Sequence, residues 1–159
     1  MPTRNPRAAE SGRWRHDNIG RLLNNAIARF EGRVLELMAQ TGQVELRLSQ
    51  IALTRNLDLD GTRVSDLAAR AGMTKQAMGE LVAQCVALGL VASTVDPTDK
   101  RARLVRFTPR GLKWLQAFRT AVERAEQDMR KDVGAGGMAA LRKALKRYGA
   151  RFDSLSGPE

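Results

Sequence analysis

The sequence predicts a mostly α-helical chain with a small β wing, organised as a winged helix-turn-helix between two long helical regions. Two short helical patterns between residues 64 and 88 are separated by the tripeptide Gly72-Met73-Thr74. Two apolar, strand-like runs follow and are joined by the charged turn 96–101. A helix, a tight turn, a second helix and a two-stranded ribbon are the arrangement that places one helix in a DNA major groove.

The composition favours a polyanionic partner, because 27 basic residues outweigh 17 acidic ones and leave a net charge of +10. Such an excess is typical of nucleic-acid binding, although a basic chain that is merely soluble is an alternative. One cysteine and one histidine exclude an intramolecular disulfide and a zinc site built from several such residues. We expect no cofactor and no enzymatic activity, since no histidine adjoins a nucleophile and no glycine-rich phosphate loop opens a helix.

The expected location is the cytoplasm, at the nucleoid when the protein is bound to DNA. No apolar run approaches the roughly 20 residues that span a bilayer, so no membrane partner is expected. The first 15 residues also lack the apolar segment of a secretory signal. Residues 1–12 carry prolines and mixed charges without periodicity, which predicts a mobile arm.

Long helices are predicted on both sides of the central module, and we assign residues 13–48 and 112–156 to a dimerisation region. The first long helix ends at Thr41-Gly42, and a second begins after its cap, Thr108. Glycines in 134–137 separate that helix from a last one. Apolar residues recur every three or four positions in these helices, which indicates a buried stripe. A second copy of the chain is one surface that can cover it.

The predicted DNA-binding domain occupies residues 49–111. Ser49 and Ser65 are the expected N-caps of its first two helices. Gly72 provides the stop that the helix-turn-helix corner requires. Thr74 then caps the recognition helix, 75–88.

The inward face of this recognition helix includes Cys85, which is expected to belong to the core. A redox sensor needs an accessible thiol of low pKa, and nothing in the sequence supplies one. The opposite face is polar at the N-terminal end, which is the end that meets base edges in helix-turn-helix proteins.

Three passages of the sequence resemble the MarR family of bacterial winged-helix regulators. The first joins Val64–Ala68 to Gly72–Met78, and the second runs from Leu81 to Val91. The third and most specific, Asp96–Gly111, matches the family's wing pattern of Asp, any residue, Arg, a strand and Thr-x-x-Gly. The resemblance covers nearly the whole chain.

What the resemblance implies is an obligate homodimer that binds a palindromic DNA duplex, in most members as a repressor. Recognition helices would enter successive major grooves, and each wing would insert an arginine into the flanking minor groove. Release would follow binding of a small, often aromatic or lipophilic, effector. Some members respond to oxidants through a cysteine.

On the recognition helix, the candidate DNA contacts are Thr74, Lys75, Gln76 and Gly79. Gln76 can bond adenine in two places, and Lys75 can reach guanine or a phosphate. Glu80 departs from many relatives, which have a basic or hydroxyl residue there. Its carboxylate costs affinity near phosphates unless it pairs with a base such as Lys75 or accepts from cytosine.

In the wing, the candidate DNA contacts are Lys100, Arg101 and Arg103. Arg101 is favoured for the minor groove, where a narrow groove concentrates negative potential, and the other two suit phosphates. Asp99 is expected to orient Arg101 through a charge-assisted hydrogen bond. A surface ion pair of little energetic consequence is the alternative for Asp99 and Arg101.

Trp14 and His16 stand at the start of the first long helix, where the resemblance suggests a wall of a ligand pocket. Packing at the helix end is the alternative for both. Two other functions stay open for the whole chain, because a fold does not determine a function. One is a winged-helix protein-interaction module, and the other is an architectural DNA binder without sequence preference.

Overall fold

The computed structural model describes the backbone of residues 14–155 and the side chains of residues 14–149. The predicted mobile arm, 1–12, lies outside the described residues. A helical turn at 14–17 precedes the main elements. In chain order these are α1 (Ile19–Ala39), α2 (Leu48–Asn56), β1 (Thr62–Arg63), α3 (Val64–Arg70), α4 (Lys75–Ala87), β2 (Val91–Val95), β3 (Arg103–Phe107) and α5 (Pro109–Leu155).

Two helices begin at side-chain capping hydrogen bonds, and the one at Thr74 confirms the prediction. At α1, the side chain of Asn18 accepts from the backbone N–H of Arg21 at 3.0 Å. At α4, the hydroxyl of Thr74 accepts from the N–H of Ala77 at 3.1 Å. Each bond satisfies one of the backbone donors that a helix N-terminus leaves free. Gly72, which ends the preceding helix, has the predicted left-handed conformation with φ of 62°.

The predicted N-caps Ser49 and Ser65 are wrong. Helices α2 and α3 begin earlier, after Arg47 and Arg63, and both serines lie inside the first turn. At α2, the backbone N–H of Arg47 donates to the side-chain oxygen of Gln50 at 2.9 Å. A glutamine in the first turn, and not a serine, therefore accepts from one of the free backbone N–H groups at this helix end.

The sheet is antiparallel and has the strand order β1-β3-β2. β2 and β3 pair along their whole length and form the wing hairpin, residues 91–107. The sequence did not indicate β1, whose two residues lie opposite Val105 and Leu104 of β3. So short a strand has no alternation to detect.

The predicted break in the C-terminal region is confirmed as a kink in α5. Gly134 has φ of 75° and ψ of 163°, which are not helical values, and the chain turns there between segments 109–133 and 135–155. The N-terminal end of α5 is capped as predicted, since the hydroxyl of Thr108 accepts from the N–H of Gly111 at 3.0 Å.

A buried tryptophan that the apolar stripe did not include joins α5 to the segment between α1 and α2. Trp114 is 1% exposed, donates its indole N–H to the carbonyl of Val44 at 3.1 Å and stacks on Phe118. By contrast, Leu112 and Val133, which lie at the ends of the apolar stripe predicted for the segment 109–133, are 46% and 45% exposed. Within residues 14–155, no helix has the length and apolar character that crossing a membrane requires.

Candidate nucleic-acid interface

A basic groove lies between the recognition helix α4 and the wing hairpin. Its volume is about 530 Å³, and no acidic side chain of the described chain lines it. Arg63 lines it from the start of α3, Lys75 and Gly79 from α4, and Arg101 and Arg103 from the wing. Two sets of predicted contacts that lie far apart in the sequence thus border one groove.

The N-terminal end of α4 presents the predicted contact residues to solvent. Thr74, Lys75 and Gln76 are exposed, and Gly79 is half-buried. A β-carbon built at Gly79 would meet nothing within 4 Å, so the protein's own packing does not require a glycine there. Its small size instead leaves room for a bound molecule to approach the helix backbone.

Glu80 does not form the ion pair with Lys75 that the sequence left open as an alternative to a bond from cytosine. Its carboxylate accepts from the side-chain amide of Gln76 at 3.5 Å, one helical turn away. This long bond is at the limit of useful geometry and is easily exchanged for another partner. The second N–H of the Gln76 amide and its carbonyl oxygen are not used by this bond, and these are the groups that a two-point contact with adenine needs.

At the tip of the wing, Asp99 holds Arg101 by a different bond from the one predicted. Its carboxylate accepts from the backbone N–H of Arg101 at 3.0 Å, not from the guanidinium. The carboxylate therefore orders the turn, while the Arg101 side chain stays exposed next to the exposed Lys100. Composition and spacing do not distinguish the backbone donor from the side-chain donor.

Arg103 is directed along the hairpin. Its guanidinium donates to the carbonyl of Ser93 at 3.0 Å and to the hydroxyl of the same residue at 3.3 Å. A guanidinium has five N–H donors, so others are free for a phosphate. Arg103 lines the groove with part of its hydrogen-bonding capacity already in use.

One ion pair at the groove was not predicted from the sequence. Asp96 is 5% exposed and accepts from the guanidinium of Arg63 at 2.7 Å. Hydrogen bonds from the hydroxyl and backbone N–H of Thr98, and then from Arg63, lower the pKa of Asp96 to about 2. The available signal in the sequence was a carboxylate at the start of the charged turn 96–101.

A separate, apolar cavity of about 660 Å³ lies between α1, α2 and α5. Its lining includes Phe30, Phe118 and Met129, and two ion pairs also line it, Arg55–Glu31 at 3.4 Å and Arg142–Glu126 at 2.8 Å. Trp14 and His16, the predicted pocket residues, do not line this cavity. Both lie in the helical turn before α1, where Trp14 is 70% exposed.

Cys85 is fully buried in α4, and burial raises the pKa of its thiol to about 11. The prediction that it belongs to the core is confirmed. Among the residues with described side chains, no cluster of three His, Cys, Asp or Glu side chains has the arrangement of a metal site.

Residues 51–102 match the model of a family described as the MarR family. This segment contains α3, α4, β2 and most of the groove lining. No curated protein sequence matches the chain significantly.

Several solved structures have the same fold. A MarR-family transcriptional regulator from Rhodococcus sp. RHA1 is 23% identical, with a TM-score of 0.69 over 90% of this chain and 95% of the other. The transcriptional repressor CouR bound to a 23-mer DNA duplex is 21% identical, with a TM-score of 0.69 over 86% and 95% of the two chains. CouR from Rhodococcus jostii RHA1 bound to p-coumaroyl-CoA is 23% identical, with a TM-score of 0.66 over 90% and 94%.

Proposed function

We propose that the chain, whose residues 51–102 match the model of the MarR family, is a homodimeric, sequence-specific DNA-binding transcriptional regulator. It acts as a repressor in the bacterial cytoplasm and responds to a small ligand. The observation that carries the proposal is the basic groove, which Lys75 and Gly79 of α4 share with Arg101 of the wing. Such a groove allows one duplex to meet the helix in its major groove and the wing in its minor groove.

In this proposal residues 49–111 form the DNA-binding domain, and each candidate contact has a chemical role. Lys75 and Gln76 read base edges, Thr74 and Gly79 let the duplex approach the helix end, and Arg101 enters the minor groove. Lys100 and Arg103 bind phosphates and set the salt dependence of the affinity. Asp99 keeps the wing turn in the shape that presents Arg101.

The proposed homodimer is supported by apolar side chains that a single chain leaves in water. On α1, Ile19 is 72% exposed and Leu22 is 45% exposed, and on α5 Tyr148 is 84% exposed. These residues lie in the terminal regions 13–48 and 112–156, which the proposal assigns to dimerisation. A second copy can cover such a surface on both chains at once, because a two-fold interface is self-complementary.

The apolar cavity between α1, α2 and α5 is the proposed site of a small aromatic or lipophilic effector. Its volume of about 660 Å³ falls in the range of small-molecule pockets. α2 lines this cavity and also reaches the recognition helix, since the amide of Gln50 donates to the side-chain oxygen of Gln84 at 3.1 Å. A ligand that displaces α2 would therefore shift α4 and change DNA affinity.

The proposal is tested with a labelled duplex that carries a palindrome from the region upstream of the chain's own gene. Binding is expected to exceed that of random duplex by at least about 1,000-fold and to weaken steeply with salt. Equal affinity for every duplex would indicate an architectural binder. Failure to bind any nucleic acid at low salt would favour a protein-interaction module. Compounds that raise Tm and displace the duplex would identify the effector.

A further inference from the structure

An ion pair between the half-buried Arg63 and the buried Asp96 connects the wing turn to the start of the helix-turn-helix. One oxygen of the Asp96 carboxylate accepts from the Nε of Arg63 at 2.7 Å. The other accepts from the backbone N–H and the hydroxyl of Thr98 at 2.8 and 2.7 Å. A terminal nitrogen of Arg63 also donates to the Thr98 hydroxyl at 3.1 Å. We call Arg63, Asp96 and Thr98 the wing clasp.

The wing clasp contacts the turn 96–102, which is not paired by any strand of the sheet. Strand β1 pairs with β3 only opposite Leu104 and Val105, and the β2–β3 ladder ends at the Val95–Arg103 pair. Backbone hydrogen bonds within the turn 96–102 join the turn to itself. Among the described side chains, Arg63 is the one that hydrogen-bonds this turn to the helix-turn-helix.

The Asp96 carboxylate lies beside a strongly basic stretch of the chain. From Lys100 to Lys113 the sequence has six basic residues and no acidic one, and the neighbouring groove is lined by basic side chains. By charge alone, Asp96 repels DNA phosphates and lowers affinity. Its presence therefore favours DNA binding only if the geometry that it imposes contributes more than its charge costs.

We infer that Arg63 and Asp96 are positioning residues that fix the separation between α4 and Arg101, and with it the affinity for operator DNA. The inference rests on the proposed function. Arg63 lines the groove and immediately precedes α3, so it links the turn to the helix-turn-helix that carries α4. If the turn moved by about 1 Å, hydrogen bonds to the two DNA grooves could not all keep good geometry.

The decisive variant is Asp96→Asn, because charge and position predict opposite results. Removal of a negative charge should strengthen binding to a polyanion, whereas loss of the clasp should weaken it by about tenfold. Asp66→Asn is the matched control, since Asp66 is an exposed carboxylate in the first turn of α3. Its affinity is expected to stay unchanged or to rise. Both are measured with the palindromic duplex by fluorescence anisotropy over a salt series.

A milder variant, Thr98→Val, covers the case in which Asp96→Asn fails to fold. It removes the hydroxyl that joins both partners, keeps both charges, and changes an exposed residue. We expect an affinity loss of about threefold with the wild-type salt slope. In a double-mutant cycle, the variant that combines Arg63→Gln with Asp96→Asn should lose little more operator affinity than either single variant, because each single change already breaks the same ion pair.

The outcomes separate the inference from the proposed function. If the wild-type protein does not prefer the operator, the proposed function fails and the inference fails with it. If the wild type prefers the operator but folded Asp96→Asn binds as tightly or more tightly, only the inference is overturned. A salt slope lowered by about one in Arg63→Gln, together with tighter binding by Asp96→Asn, would show that Arg63 contacts phosphate directly.

Discussion

Gly111 lies so close to Leu90 that a β-carbon at Gly111 would stand 1.9 Å from the carbonyl oxygen of Leu90. Thr108 produces this approach, because its hydroxyl donates to the carbonyl of Gly89 at 2.6 Å and accepts from the N–H of Gly111 at 3.0 Å. The backbone N–H of Thr108 also donates to Leu90 at 3.0 Å. The Thr-x-x-Gly pattern thus fastens the start of α5 to the chain entering β2.

Substitution Gly111→Ala should destabilise the fold strongly, because the added methyl group collides with backbone that cannot move independently. We expect a loss of about 3 kcal/mol or more in the free energy of unfolding. Gly32→Ala in α1 is the matched control, since a β-carbon there meets nothing within 4 Å. It should stabilise the helix by up to about 1 kcal/mol. Urea denaturation measures both, and equal effects would disprove the packing argument.

Stability should depend on pH through Asp96, whose pKa is lowered to about 2 from an ordinary 3.8. The carboxylate favours the folded state when it is ionised, so its contribution is complete above about pH 4 and is lost as the pH falls towards 2. The stability difference between wild type and Asp96→Asn should therefore shrink over this range. Urea denaturation at several acidic pH values measures it, and a difference independent of pH would show that the ion pair contributes nothing.

Lys75 and Arg101 should affect DNA binding in different ways. Arg101→Ala should lower operator affinity by about 10-fold to 100-fold, because it loses a minor-groove contact. Lys75→Ala should instead relax discrimination at the base that Lys75 reads, by about 1–3 kcal/mol at that position. Arg119→Ala is the control, since Arg119 pairs with Glu123 on α5 at 2.8 Å. A loss of operator affinity in this control equal to that of Arg101→Ala would point to net charge alone.

Dimerisation should be sensitive to charge on the exposed apolar side of α1. Ile19→Glu should raise the dimer dissociation constant by at least about tenfold, because the interface would bury an unpaired carboxylate. Leu59→Glu is a control of matched exposure, since Leu59 is 71% exposed and Ile19 is 72% exposed. Sedimentation velocity over a concentration series compares them. An unchanged dimer in Ile19→Glu would place the interface elsewhere.

The sequence was sufficient for the order of the main elements, the helix-turn-helix corner and the wing, because these depend on local patterns. Glycine at 72 and threonine at 74 and 108 specify helix ends through backbone conformation and hydrogen bonds between near neighbours. Ser49 and Ser65 were misleading, because a residue type that favours the N-cap also occurs inside a first turn. At the start of α2, the side chain of Gln50, and not a serine, accepts from the backbone N–H of Arg47.

Long-range partners could not be predicted, since nothing local relates residues that lie far apart in the sequence. The Arg63–Asp96 pair spans 33 positions and depends on strand β1, which is too short to leave a pattern. For Asp99, spacing indicated the correct neighbour but not which nitrogen of Arg101 donates. The groove itself emerges only when α4 and the wing fold together.

The most direct test of a dimer that places two recognition helices on one palindrome is the effect of destroying a single half-site. Anisotropy at physiological salt compares the intact operator, a duplex with one half-site scrambled, and a random duplex of equal length. We predict that scrambling one half-site weakens binding by about 100-fold or more, since each mismatched base pair costs about 1–3 kcal/mol. Equal affinity for all three duplexes would contradict the proposed sequence-specific regulator.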